Sequence, residues 1–174
     1  LHKGIILKPL GFTTVGYSLI FSNSVILLSY LNTIFYLVSG LIISMTLTIL
    51  GGYVLSRRNL LWGNVIMFFI TFTMFFSGGL IPFYIVVTKL GLYNSRWAVI
   101  LPSAVSVFNL IIMRTSFQEI PENIEESALI EGAGHLTILT RIMVPLSKAT
   151  IAVIALFYAV SIWNSWFNAS IFLK

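Results

Sequence analysis

All five carboxylates of this 174-residue chain fall between Glu119 and Glu131, and there is no aspartate. They are Glu119, Glu122, Glu125, Glu126 and Glu131. On both sides of this window the sequence is almost continuously apolar. Lipid excludes charge unless the charge has a task or reaches water. The pattern therefore restricts the chain to membrane-spanning helices interrupted by one structured, water-facing element. That element begins at Ile120-Pro121-Glu122, passes Gly132-Ala133-Gly134-His135 and runs on to Val144-Pro145. It is where the chain is expected to meet a partner.

Composition supports this restriction. Residues are 58% hydrophobic and 9% charged, against about 25% charged in a soluble domain. A single core of this size cannot hide so much apolar surface. The net charge is +5. The ten Lys and Arg residues sit at the ends of apolar runs, as topology-setting charges do, so no nucleic-acid partner is expected. Without cysteine there is no disulfide and no thiolate metal site. His135 has no second His or Cys nearby and reads as a polar surface residue. No phosphate-binding loop is present, so the chain is not expected to hydrolyse ATP or to need a cofactor. It opens on Leu1 without a signal-peptide pattern and reads as an internal piece of a longer protein.

A helix needs roughly 20 apolar residues to cross a hydrocarbon core. Residues 1–23 are mixed and read as a surface segment. Four spans are expected after it. The first runs from Val25 or Leu31 to Leu55. The second runs from about Leu60 to Val87, with a kink or break at Gly78-Gly79 and Pro82. The third runs from about Trp97 to Met113 and carries Pro102. The fourth runs from about Ala149 to Leu173. No span has an ionisable residue near its middle, which argues against an ion-coupled carrier. Alternation puts the Arg57-Arg58 loop and the acidic window on one face, with Arg114, Arg141 and Lys148. Lys89, Arg96 and Lys174 lie on the other face, and Lys3 and Lys8 count against the assignment. The more basic face is expected to be cytoplasmic.

Within the window, Pro121 suits a first helical position. Glu122, Glu125 and Glu126 then lie near the positive end of the helix dipole. Ile124, Ala128 and Leu129 supply an apolar face, and Gly132 and Gly134 interrupt the helix. A second short helix fits Leu136 to Val144, with Leu136, Leu139, Ile142 and Met143 on one side and Pro145 limiting it. The plain alternative is a solvated acidic loop.

These residues resemble the permease subunits of bacterial ABC importers. That family carries a signature of E-A-A, three residues, G, nine residues, then I-x-L-P. Here Glu126-Ser127-Ala128 stands for E-A-A, Gly132 follows after three residues, and Ile142-Met143-Val144-Pro145 follows after nine more. The departures are Ser127 for Ala, Glu131 before the glycine, Val144 for Leu, and Ala149 where proline is common. Residues 73–84 (Thr-Met-Phe-Phe-Ser-Gly-Gly-Leu-Ile-Pro-Phe-Tyr), 96–102 and 155–159, with Trp163-Asn164, look like the carbohydrate-importer permeases of the oligosaccharide, aldouronate and lipoprotein-linked sugar group.

The resemblance implies an all-α polytopic membrane bundle with the type I importer permease fold, about four spans of a longer six-span domain. It implies that residues 119–146 form a cytoplasmic coupling loop docking on an ATPase. Glu126 would pair with a basic residue of the ATPase, and Gly132 would permit the tight turn. Glu126, Ser127, Ala128, Gly132, Ile142 and Pro145 are the coupling residues it points to. The implied partners are a second permease, an ATP-binding cassette ATPase dimer, an extracytoplasmic solute-binding protein and the lipid bilayer of a bacterial cell membrane. A permease for another solute, such as an amino acid or polyamine, stays open, as does an ATP-independent channel or structural subunit.

Two other patterns bear on a path through the membrane. Gly40, Ser44, Thr48 and Gly52 recur every four residues and read as a close helix contact. Ser161, Trp163, Asn164 and Asn168 on the last span, with Ser106 and Asn109 on the third, are candidates for lining a solute path. The alternative for the last span is an aromatic belt with interhelical hydrogen bonds. Phe68, Phe69, Phe72, Phe75 and Phe76 read as lipid or helix contacts.

Overall fold

A computed structural model describes residues 14–22 and 24–173, except for the side chains of Leu19 and Phe21. Lys3, Lys8 and Lys174, which enter the charge argument, lie outside the described residues. The chain divides into two compact units, residues 1–35 and 36–174. In the first, Val15–Ser22 forms a helix, α1, where the sequence suggested only a surface segment. The remaining description concerns the second unit, including the greater part of the long helix α2, Ser24–Ser56.

Helix α2 has 33 residues, no charge and no proline, so nothing interrupts its ladder of backbone hydrogen bonds. Gly40, Ser44, Thr48 and Gly52 are all buried, while Ile42, Leu47, Leu50 and Val54 are exposed. The four-residue stripe is thus the contact face, and the large apolar side chains point outward, as lipid requires. A methyl group added at Gly40 would come within 3.0 Å of Ile162. Arg57 and Arg58 follow directly.

The expected second span is two helices, α3 (Gly63–Met74) and α4 (Leu80–Lys89). The break falls at residues 75–79, where Gly79 adopts φ +79°. Pro82 then lies in the first turn of α4, where its missing N–H would have had no helical partner. The phenylalanines of α3 and the break are exposed, with Phe72 and Phe76 tilted against each other at 4.3 Å.

The third span is also divided. Helix α5 (Trp97–Ile100) tightens into a 3-10 turn over Leu101–Ser103, which contains Pro102. Helix α6 (Val107–Gln118) resumes after a bend of 49°. It runs five residues past the expected end at Met113. Ser106 caps it, its hydroxyl accepting from the Asn109 N–H at 3.4 Å.

After the acidic window, α10 (Lys148–Trp163) and α11 (Trp166–Phe172) replace the single last span. Asn164 and Ser165 separate them, and their side chains donate to the Val160 and Ile162 carbonyls at 2.8 and 2.7 Å. Among the described residues α2 alone is long and apolar enough to cross a membrane as one helix, or three spans result if each bent pair counts as one.

Two apolar clusters hold the unit together. The larger joins Tyr53, Met113, Phe117, Ala128, Ile138, Leu139, Met143, Ile154 and Tyr158. It fastens the acidic window to α2, α6 and α10. The smaller joins Val87, Ala98 and Phe172. Phe172 stacks on Tyr84 at 5.8 Å, and its carbonyl accepts from the Asn94 N–H at 2.9 Å.

Candidate functional site

The acidic window folds as a helix-turn-helix. Its first helix, α7, is Glu122–Ile130, with Pro121 one position before it rather than inside it. Proline still acts as expected, since the N–H it lacks would be unpaired there. The turn is a Schellman closure. Gly132 has φ +84°, its N–H bonds the Leu129 carbonyl at 3.0 Å, and the Ala133 N–H reaches back to the Ala128 carbonyl at 2.9 Å. Only glycine adopts that φ without a Cβ penalty. Gly134 has an ordinary φ of −73°.

This pair of glycines yields a prediction. Gly132→Ala is expected to destabilise the protein by about 1–2 kcal/mol through left-handed backbone strain, whereas Gly134→Ala, with open space around its Cα, should be close to neutral. Thermal unfolding of the two variants side by side decides it, and equal melting temperatures would remove the Schellman assignment.

The second helix departs from expectation. It starts at α8, His135–Ile138, and passes through a π-turn at Leu139–Met143. It ends in α9, Val144–Leu146. Pro145 therefore does not stop it. In the π-turn the Val144 N–H bonds the Leu139 carbonyl, five residues back. This wider turn precedes the proline, whose ring would clash with the carbonyl of an ordinary helix. The stop comes at Ser147, where the chain bends by 85° into α10. The π-turn also shifts the buried face. Ile138, Leu139 and Met143 are buried and Ile142 is half-buried, but Leu136 is 69% exposed. On α7 Ala128 is buried, whereas Ile124 and Leu129, expected beside it, are exposed.

The Arg57-Arg58 loop holds α7 in place. Arg57 pairs with Glu125, both side chains about one-fifth exposed, and lies over the Tyr53 ring at 4.0 Å. Arg58 Nε bonds Glu122 Oε1 at 2.8 Å in a largely exposed pair. The Tyr53 hydroxyl donates to the His135 carbonyl at 3.2 Å. Burial raises the Glu125 carboxyl above its ordinary range, with His135 opposing the rise and Glu126 adding to it. Burial also lowers the Arg57 guanidinium. Both shifts reflect desolvation, and the direct contact between the two groups offsets that cost. The placement of this loop beside the acidic window follows from counting span alternation, but the pairings themselves do not.

Glu126 is exposed and makes no ion pair among the described residues. It lines a cleft of about 300 Å³ with Arg57, Arg58, Glu122, Leu129 and Met143. Ser127 is exposed and donates to the Asn123 carbonyl at 2.7 Å. Pro145 is exposed. Around Glu126 stand exposed apolar groups that sequence reasoning missed: Ile130 is 88% exposed. With Leu136 it puts apolar surface on the element that carries all the acid.

A second cavity, about 480 Å³, opens between the break before α6 and the helices α10 and α11. Ser106, Asn109, Ser161 and Asn168, four of the six candidate path residues, line it. Trp163 and Asn164 do not. The chain breaks after Trp163, where the Asn164 side chain donates to the Val160 carbonyl and Trp163 is left half-exposed. Tyr158, buried beneath this cavity, accepts from the Ser106 N–H at 3.0 Å, and its hydroxyl lies 2.7 Å from Thr48 Oγ1. One hydroxyl thus satisfies a backbone donor freed by the broken helix and ties that break to α2.

Comparison with known proteins gives one family and several relatives. Residues 40–173 match the family described as the inner membrane component of binding-protein-dependent transport systems. The chain is 47% identical over 172 residues to the polygalacturonan/rhamnogalacturonan transport system permease protein YtcP of Bacillus subtilis (strain 168), covering 99% of this chain and 60% of that protein. It is 41% identical over 173 residues to Protein LplC of the same organism, covering 99% and 59%. A solved bacterial ABC transporter involved in the import of the acidic polysaccharide alginate superposes with a TM-score of 0.92 at 35% identity, over 99% of this chain and 62% of that one. The chain thus spans about three-fifths of the length of these relatives.

Proposed function

The chain belongs to the family of inner membrane components of binding-protein-dependent transport systems, and from that premise we propose that it is the permease subunit of an ATP-driven importer of carbohydrate. Its all-helical fold is the type I permease fold of the alginate transporter chain. In this reading residues 119–146 form the coupling loop on the cytoplasmic side. Helix α7 docks on an ATP-binding cassette ATPase, which performs the hydrolysis, and an extracytoplasmic binding protein delivers the solute. A second permease completes the path.

The observation that carries the reading is the surface of the helix-turn-helix. An exposed Glu126, with no ion pair among the described residues, shares the helix-turn-helix with exposed Ile130 and Leu136, on an element fastened to the end of α2 by two arginines. Exposed apolar groups rimmed by charge mark interaction sites. Gly132 shapes the turn, Ala128 and Ile142 seat the helices on the apolar cluster, and Ser127 and Pro145 face outward. The rigid attachment to α2, α6 and α10 would let a closing ATPase pull on the spans. Carbohydrate as solute rests on the polygalacturonan/rhamnogalacturonan and alginate transporters among the relatives. Ser106, Asn109, Ser161 and Asn168 would line the path.

The test is ATP-dependent uptake into vesicles holding the full-length chain with its ATPase, second permease and binding protein. Oligosaccharide should accumulate only with ATP. Uptake of an amino acid or polyamine instead, or flux without ATP, would replace this reading with one of its rivals.

A further inference from the structure

Asn109 is 4% exposed, yet its side-chain amide bonds no protein group among the described residues. Only its backbone N–H is engaged, by Ser106. An amide carries two donors and two acceptor lone pairs, and here they are left for whatever occupies the cavity that Asn109 lines. It lines the cavity beside α10 and α11 with the hydroxyls of Ser106 and Ser161 and the amide of Asn168. Two exposed aromatic rings also line it: Phe108 is 51% and Phe157 44% exposed, their centroids 6.4 Å apart. Beneath them the Tyr158 hydroxyl is already committed to Ser106 and Thr48, so the floor is braced before any ligand arrives.

We infer that this cavity is a saccharide subsite that reads hydroxyl groups and the apolar face of a sugar ring, and does not read carboxylates. This rests on the carbohydrate reading above. Amides and hydroxyls supply both donors and acceptors, which matches sugar hydroxyls. Exposed rings supply flat apolar surface for the C–H face of a pyranose. The volume of about 480 Å³ falls in the roughly 300–1,000 Å³ of small-ligand sites. Among the described residues no Lys, Arg or His lines the cavity, so a uronate carboxylate entering it would be stripped of water with no counter-charge. Facing bare hydrocarbon instead, the same groups would stay unsatisfied at depth, which membrane proteins avoid. If the transporter moves an acidic saccharide, its carboxylates are then recognised outside this cavity.

The experiment uses the full-length chain in the assembled transporter. The probes are a galacturonic acid oligomer and the same oligomer with its carboxyls reduced to alcohols. Asn109→Leu is expected to raise the KM for uptake of both probes roughly five- to tenfold, with a smaller change in kcat. Phe157→Leu keeps an apolar, half-exposed side chain and should raise both KM values without loss of assembly, so the test survives if the asparagine variant does not fold. Wild-type KM in both variants overturns the subsite. So does a KM change confined to the acidic probe, since the cavity would then read the carboxylate. Loss of assembled transporter with unchanged constants in the remainder overturns it too, and makes the cavity a contact with the second permease. Failure of the wild type to move either probe, while it moves an amino acid or polyamine, removes the carbohydrate reading and the subsite together.

Discussion

Glu126→Lys is expected to cut ATP-driven uptake to the background of empty vesicles and to release the ATPase from the purified complex. The reason is the division of labour among the acids of α7. Glu122 and Glu125 face inward to Arg58 and Arg57 and hold the helix to the end of α2. Glu126 has no such tie and stands at the exposed edge, near Ile130. Reversing its charge therefore breaks neither ion pair of the hairpin and acts on whatever meets the exposed edge. A charge reversed at the centre of an interface leaves the partner's charge unmatched, at about 2–5 kcal/mol or more. That corresponds to a loss of binding of roughly thirtyfold or greater. Glu126→Gln removes attraction without adding repulsion and should fall between the two. Co-purification of the ATPase and uptake in the same preparation are the measurements. Wild-type values for both, with normal amounts of the variant in the membrane, would falsify the assignment of α7 as the coupling helix.

How much of this was legible depends on whether the cause lies near in sequence. The turn at Gly132 was readable because a left-handed residue in a helix-to-helix turn favours glycine, and the spacing on either side is local. The break at Gly78-Gly79 was readable for the same reason. The inward stripe of α2 was readable because a four-residue recurrence of small residues has one geometric use in lipid. The π-turn before Pro145 was not readable. A proline in a helical pattern reads as a stop, and it is the burial of Ile138, Leu139 and Met143 against Tyr53 and Phe117 that keeps the helix going. The ion pairs of Arg57 and Arg58 join groups more than sixty positions apart, and charge counting places them on one face without pairing them. Trp163 and Asn164 fall outside the cavity that Ser161 and Asn168 line, because helical spacing does not carry across the break between α10 and α11. Asn109 was readable as a polar residue in a span, but not as an amide lining a cavity. The groups that share that cavity are spread over α6, α10 and α11 and meet only in the folded chain.

The close contact of α2 with α6 produces the second large effect. Gly52→Leu is expected to prevent the unit from reaching its native arrangement, and Gly52→Ala to weaken it measurably. A Cβ at Gly52 would lie 2.7 Å from Met113 Cγ and 3.1 Å from its Cβ. It would also lie 3.3 Å from the backbone nitrogen of Arg114. Met113 is completely buried, so its root has nowhere to go, and the helices must separate. Such overpacking costs about 1–3 kcal/mol even for one methylene. Separation would also stretch the bond from Arg114 Nε to the Leu55 carbonyl, now 2.9 Å. It would shift Tyr53 and Arg57, through which α2 holds His135 and Glu125. Damage at one small residue inside the bundle therefore reaches α7 and α8. Gly51, the next residue, is the internal control. A methyl there meets only the tip of Leu110, at 3.0 Å, and a flexible tip can swing aside. Gly51→Ala should keep its melting temperature within a degree or two, while Gly52→Ala should lose about 2–4 °C for each kcal/mol of strain. If the two alanine variants melt together, α2 and α6 are not held at van der Waals contact through Gly52, and the route from the spans to α7 must run through α10 instead.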